Sequence, residues 1–184
     1  MPDELDVLRE IIKPVLENIS CSTGFTSLCI GFRNYCMICM DKHVVPEGLV
    51  MQEVGSVRTD YILHPWGYLL LSNQDDVKKQ LLIENANATL TYGGQIPDKA
   101  LLEKFIKEAG EKRFSDDKGL VYPGIRRISM PIYHRNKLTA ALAVGILGNS
   151  LENAKYEFII AALNLKATQL TDMLTHTNSQ GGSL

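Results

Sequence analysis

The residues best suited to chemistry sit in the run from Pro123 to Ile146. Arg127 carries a planar fork of donors that could clamp a carboxylate through two parallel charge-assisted hydrogen bonds. Its competing fates are a pairing with Asp116 or Asp117, or an outward path to solvent. Asp117 could orient that arginine, accept from a ligand hydroxyl, or stand as a solvated loop carboxylate. Trp66 and Tyr68 could wall a cavity, each offering apolar surface with one polar tip, or serve as ordinary core packing.

Cysteine and histidine chemistry is poorly supported. Cys36 and Cys39 spell a C-x-x-C motif, but residues three apart on a strand point to opposite faces, so their sulfurs cannot converge on one metal. Redox C-x-x-C motifs open helices, and this segment reads as a strand. His43, His64, His134 and His176 are scattered with no metal-binding spacing, and His64 before Pro65 reads as a helix-start residue. Thr91-Tyr92-Gly93-Gly94 lacks the following Lys-Ser or Lys-Thr of a phosphate loop. No catalytic residue, metal or cofactor is expected.

The elements that position Arg127 follow from period-two patterning. Ile128, Met130 and Ile132 form one face of a first strand, and Arg127, Ser129, Pro131 and Tyr133 the other. After a polar turn, Leu138, Ala140, Leu142, Val144 and Ile146 continue the apolar face, opposite Thr139, Ala141, Ala143 and Gly145. A two-residue Arg135-Asn136 loop would pair Tyr133 with Leu138 and put Ile132 on the small-residue side. A loop one residue longer sets Met130 opposite Leu142 and brings both apolar rows together, so an odd-length loop with a local bulge is expected. The other face then becomes a floor of tiny side chains carrying Arg127 and Ser129.

The 184 residues suit one domain, with 45% hydrophobic and 22% charged residues. The formal net charge of −2 comes with no basic stripe of the kind that grips nucleic acid. No apolar run approaches the roughly 20 residues of a membrane span, and the acidic start is unlike a signal peptide. A cytoplasmic protein with reduced thiols at Cys21, Cys29, Cys36 and Cys39 is expected.

Along the chain, Leu5, Leu8, Ile12, Leu16 and Ile19 predict an amphipathic helix capped by Asp3 and kinked near Pro14. A hairpin follows, turning at Arg33-Asn34, then a loop over 44–48 and a third strand over 49–57. Helices are predicted at 65–71, 75–84 and 97–109, the last ending at Gly110. Asn149 and Glu152 resemble a capping box for a long last helix to about Leu174, and 177–184 reads as a disordered tail. Phe158, Leu165, Leu163 and Leu170 give that helix two apolar sides, as a subunit contact would require. Tight turns between strands imply an antiparallel sheet with helices against it, hence α+β.

Four segments carry a family resemblance: Lys13-Pro14-Val15-Leu16-Glu17; Gly55 with Leu63-His64-Pro65 and Gly67; Pro123-Gly124-Ile125 through Pro131-Ile132-Tyr133; and Ala140 through Gly145. In order and spacing they resemble the C-terminal effector-binding domain of the isocitrate lyase regulator (IclR) family of transcription regulators, over nearly the whole chain. The resemblance implies a GAF- or profilin-like antiparallel sheet with a long C-terminal helix, spanning 1–176. It implies an effector pocket at Trp66, Gly67, Tyr68, Asp117, Arg127, Ala143 and Gly145, and the strand pattern adds Ser129 to that face. The implied ligand is a small organic acid, and the implied assembly a homodimer or homotetramer.

The first helix corresponds to the sensor domain, so the family's winged helix-turn-helix is not expected in this sequence. Direct nucleic-acid or membrane contact is not expected either. The resulting expectation is a ligand-sensing domain that couples a metabolite to oligomer geometry and to DNA binding supplied elsewhere. Two alternatives stand beside it: a GAF-like cysteine reductase using Cys29, Cys36 or Cys39, and a ligand-free dimerisation module.

Overall fold

Alternation from 125 to 147 builds the two longest strands of a six-stranded sheet. The computed structural model describes residues 3–86, 94–148 and 151–176. Its strands are β1 (Thr26–Arg33), β2 (Cys36–His43), β3 (Val57–Arg58), β4 (Ser115–Asp116), β5 (Ile125–His134) and β6 (Lys137–Leu147). They lie in the order β3-β2-β1-β6-β5-β4, and every neighbouring pair is antiparallel. The helices are α1 (Glu4–Thr23), α2 (Pro65–Ser72), α3 (Asp76–Glu84), α4 (Lys99–Lys112) and α5 (Asn153–His176), with a 3-10 turn at Tyr61–Leu63 before α2. The α+β expectation is met.

The period-two pattern divides the core into two clusters. On one face Ile128, Met130, Ile132, Ala140, Leu142 and Val144 pack under α1 and α5, against Leu8, Ile12, Leu16, Ile159, Leu163 and Leu170. The opposite face presents Leu28, Ile30, Met37, Cys39, Ala141 and Ala143 to the 3-10 turn, α2 and α4. α1 runs unbroken through Pro14, capped by the Asp3 carboxylate accepting from the Leu5 amide at 3.0 Å. It ends at Gly24, whose φ of 78° lets its N–H return to the Ser20 carbonyl.

The register of the central hairpin corrects one detail. Its turn is two residues, Arg135 and Asn136, both at positive φ (49° and 63°), the geometry that matches strand twist. Tyr133 does oppose Leu138, yet Ile132 opposes Ala140, so Thr139 is the bulged residue and Met130 still meets Leu142. The bulge alone restores the shared apolar face. It also moves Leu138 into the other core cluster, away from the row expected for it.

Other boundaries shift too. The first hairpin turns at Asn34-Tyr35, not Arg33-Asn34. The third strand shrinks to Val57–Arg58, because 44–56 leaves the sheet and crosses its α2-side face as a strap. α4 continues through Gly110 and stops at Arg113, which takes the left-handed conformation (φ 58°). Asn149 of the expected capping box, Thr91-Tyr92-Gly93 and the tail 177–184 lie outside the described residues. Among the described residues no helix is long and apolar enough to cross a membrane.

Gly67 sits where α2 passes the 3-10 turn so closely that an added Cβ would run into the Tyr61 backbone. Gly67→Ala should therefore destabilise the domain by about 1–3 kcal/mol or more, lowering its thermal midpoint by several degrees without loss of secondary structure at low temperature.

Candidate functional site

Strand register assembles a polar patch on the α2-side face. One row across the sheet reads Thr26, Gly145, Arg127; the next reads Leu28, Ala143, Ser129, Ser115. Rows on one face lie about 7 Å apart along the strands, and neighbouring strands about 4.8 Å apart, so these side chains converge over the small Ala143–Gly145 floor. The two consecutive aspartates serve opposite faces. Asp116 pairs with Arg126, which lies 4.7 Å from the Tyr156 ring of α5, while Asp117 turns to Arg127.

Arg127 is the hub. It is 4% exposed, and each of its guanidinium nitrogens meets a protein group. Nε donates to Asp117 Oδ2 at 2.6 Å, Nη2 to the Leu63 carbonyl at 2.6 Å, and Nη1 to His64 Nδ1 at 2.9 Å. Asp117 Oδ1 accepts from the Arg127 amide (2.9 Å) and the Gly119 amide (3.0 Å). Since arginine can only donate, His64 Nδ1 accepts, and the ring proton on Nε2 goes to Asp60 Oδ2, 3.1 Å away. Asp60 in turn pairs with Arg58. A buried chain Asp117–Arg127–His64–Asp60–Arg58 thus runs from the β4 side of the sheet to β3. The guanidinium stands near two aromatic faces, Tyr122 at 4.9 Å and Trp66 at 5.6 Å, and Trp66 stacks on the His64 ring at 4.8 Å.

The other expected site residues are brought to the same region in different capacities. Tyr68 is fully buried, stacks on Phe105 and donates its hydroxyl to the Ile62 carbonyl at 3.0 Å, so it braces α2. Gly145 is covered: a Cβ there would stand 2.6 Å from Met51 Sδ and 2.9 Å from Leu49, both on the strap. Beside it a cavity of about 120 Å³ opens between Thr26, Gly145 and the strap residues 45–49.

Sequence reading missed Thr26, Gln52, Ser56, Asp60, His64 and Ser115. Among the described residues, the buried side-chain polar atoms without a hydrogen-bond partner are Thr26 Oγ1, both amide atoms of Gln52, Ser56 Oγ, Trp66 Nε1, Ser115 Oγ and Ser129 Oγ. Thr26, Ser115 and Ser129 belong to the two rows above, and Gln52 and Ser56 to the returning arm of the strap beside β2, where the Gln52 carbonyl accepts from Lys42 and the Ser56 carbonyl from the Cys39 amide. Thr26 was legible in part, since alternation puts it on the face of Leu28.

The cysteines do not form a reactive centre. Burial above all pushes the Cys39 thiol up to about 11, and burial raises Cys29 further. No cluster of metal-ligating side chains occurs among the described residues.

Two consequences are measurable. Burial foremost, with Arg127 as a neighbour and against the bond to Asp60, pushes the His64 imidazole down from 6.5 to about 4. Between those values the unfolded chain binds a proton that the native state does not, so stability falls as pH drops from 6.5 to 4. The loss should be on the order of 3 kcal/mol at about 1.4 kcal/mol per pH unit. Burial alone would raise Asp60, but the bonds from His64 and Arg58 outweigh it and hold its carboxyl low, so Asp60 adds its loss only below its ordinary 3.8. His64→Gln keeps an acceptor and a donor without titrating, and should flatten the pH 4–6.5 slope in urea denaturation. Asp117→Asn leaves a buried guanidinium without its counter-charge and should cost about 3–5 kcal/mol in the same assay.

No family model matches the sequence, and no curated relative matches it. Solved structures do. IclR from Thermotoga maritima superposes with a TM-score of 0.78 at 17% identity, covering 92% of this chain and 69% of that one. The C-terminal domain of the Escherichia coli transcriptional regulator KdgR gives 0.74 at 15% identity, covering 95% of this chain and 100% of that one. An IclR homolog from Microbacterium hydrocarbonoxydans, complexed with 4-hydroxybenzoate, gives 0.78 at 14% identity over 94% of this chain and 70% of that one. The chain therefore has the fold of the C-terminal domains of IclR-family regulators, and these structural neighbours are transcriptional regulators, not enzymes.

Proposed function

We propose that this chain is a ligand-sensing regulatory domain, which binds a small organic molecule on the α2-side face of its sheet and does not transform it. The observation that carries this reading is the set of buried, unpartnered polar atoms gathered on that face and on the strap above it. Each such atom costs about 1–3 kcal/mol unless something pairs with it. A molecule held there would pair with them and displace Leu49 and Met51 from Gly145. The strap is the element whose position would differ between ligand-bound and ligand-free states. Occupancy is coupled to function if the two states favour different quaternary arrangements, with DNA binding supplied elsewhere. On α5, Phe158 (46% exposed) and Leu165 (55%) face outward and suit a homodimeric or homotetrameric contact.

A small organic acid is the second reading of the ligand, favoured by the 4-hydroxybenzoate held by one structural neighbour. It would use those N–H groups of Arg127 that lie beyond the three contacts described above. A ligand-free dimerisation module has the covering of Gly145 in its favour. The unpartnered polar atoms weigh against it, since a face that never opened would be more stable with apolar side chains of the same shape.

A thermal-shift survey of small metabolites tests the sensing reading: at least one should raise the melting temperature, rising with the logarithm of its concentration above Kd, because it binds only the native state. A flat response throughout would reject it. The cysteine-enzyme alternative is tested by thiol titration of the native protein. Cys29 and Cys39 should react only on unfolding, and a fast-reacting, low-pKa thiol at either position would revive that alternative.

A further inference from the structure

The chemistry of the polar face specifies more than the presence of a ligand. We infer that the ligand is an uncharged, hydroxyl-bearing molecule of about monosaccharide size, held by Thr26, Ser129 and Trp66 over the Ala143–Gly145 floor. This inference rests on the sensing reading and narrows it.

Charge balance comes first. The full charges along this face are already matched: Arg127 by Asp117, and Arg58 by Asp60. On the strap side, the Lys42 ammonium donates to the Gln52 carbonyl at 2.8 Å and pairs with Glu53. A carboxylate entering here brings one uncompensated negative charge into a buried space. To reach Arg127 it must share that guanidinium with Asp117, which is fully buried and cannot be rehydrated without opening the sheet edge. Like charges competing for one cation in a desolvated site are costly.

Hydrogen-bond complementarity comes second. The unpartnered atoms belong to hydroxyls, one carboxamide and one indole N–H, and none carries a charge. The hydroxyls of Thr26, Ser56, Ser115 and Ser129 each donate and accept, Gln52 offers both a donor and an acceptor, and Trp66 Nε1 only donates. An ionised carboxylate only accepts, and would leave the lone pairs of the Thr26 and Ser129 hydroxyls without a donor. Alcohol hydroxyls do both and can serve Thr26 and Ser129 in either sense.

Span comes third. Thr26 on β1 and Ser129 on β5 are separated by β6, which sets them about 10 Å apart across the sheet. A molecule bearing hydroxyls around a five- or six-carbon frame reaches both sides of that floor; a two- or three-carbon acid does not.

Matched pairs differing in the carboxylate decide the matter: D-glucose with D-gluconate, D-ribose with D-ribonate, and 4-hydroxybenzyl alcohol with 4-hydroxybenzoate. Each is used at millimolar concentration, well below the range in which polyols stabilise proteins by exclusion. A neutral member should raise the melting temperature by about 3–6 °C at ten times its Kd and further with the logarithm of concentration, and its acid should bind at least about tenfold more weakly. Thr26→Val and Ser129→Ala, each checked for native secondary structure without ligand, should weaken the neutral probe about tenfold. Trp66→Phe, which removes only the N–H and ring edge, serves if either fails to fold.

Acids that bind as well as or better than their neutral partners overturn the ligand class and leave the sensing reading standing. Neutral binding that is unaffected by the folded variants overturns the assignment of these residues. Silence from every probe overturns the ligand class, and the wider metabolite survey alone then decides the sensing reading.

Discussion

The buried ion pair between Arg127 and Asp117 is the constraint on which the arrangement of this face depends. Removing a guanidinium and a carboxylate from water is expensive, and the pair persists because each guanidinium nitrogen and each carboxylate oxygen finds a partner. Asp117 holds the backbone of Arg127 and of Gly119, fixing the β4–β5 edge. Arg127 reaches the Leu63 carbonyl and His64, fixing the start of α2. His64 passes the constraint to Asp60 and so to Arg58 on the far edge strand. Sheet, helix and edge are thereby referenced to a single side chain.

The two faces of the sheet consequently differ in kind. Under α1 and α5 the contacts are apolar and interdigitated, the packing of an ordinary core. On the α2 side, the pair and its aromatic neighbours stand beside alanine, glycine and hydroxyl residues whose polar atoms are buried without partners. A strap that leaves the sheet after His43 and rejoins it near Val57 covers that patch with Leu49 and Met51. Both faces hold a buried apolar cluster and both carry stability. The second keeps polar groups where a purely structural domain would have apolar ones, which is the expected compromise at a binding surface.

Much of the site's framework was legible in the sequence because side-chain direction in a strand is a local property. Period-two alternation assigned Arg127, Ser129, Ala143 and Gly145 to one face and their neighbours to the other, and both assignments hold in the register. The wrong guess about loop length did no damage, because the apolar pattern demanded a one-residue correction somewhere and the bulge at Thr139 supplied it. The third strand was overextended for a related reason: residues 49–57 are apolar enough for a strand, but Leu49 and Met51 bury themselves over Gly145 instead of pairing along the sheet edge.

Taken by itself, the order of residues determined the two hairpins, the faces of the second, the α+β class and the presence of an arginine above a small-residue floor. These follow from dihedral preferences and from periodicity within a few residues. It could not determine what that arginine touches. Asp117 lies ten positions away and competed with Asp116, while His64 and Leu63 lie more than sixty positions away and come near only when α2 docks. Nor could it determine that Gly145 is roofed by a strap, or which hydroxyls lose water without gaining a partner. Partner choice among buried charges and the desolvation of individual atoms depend on distances through space, and those exist only once the two layers have packed.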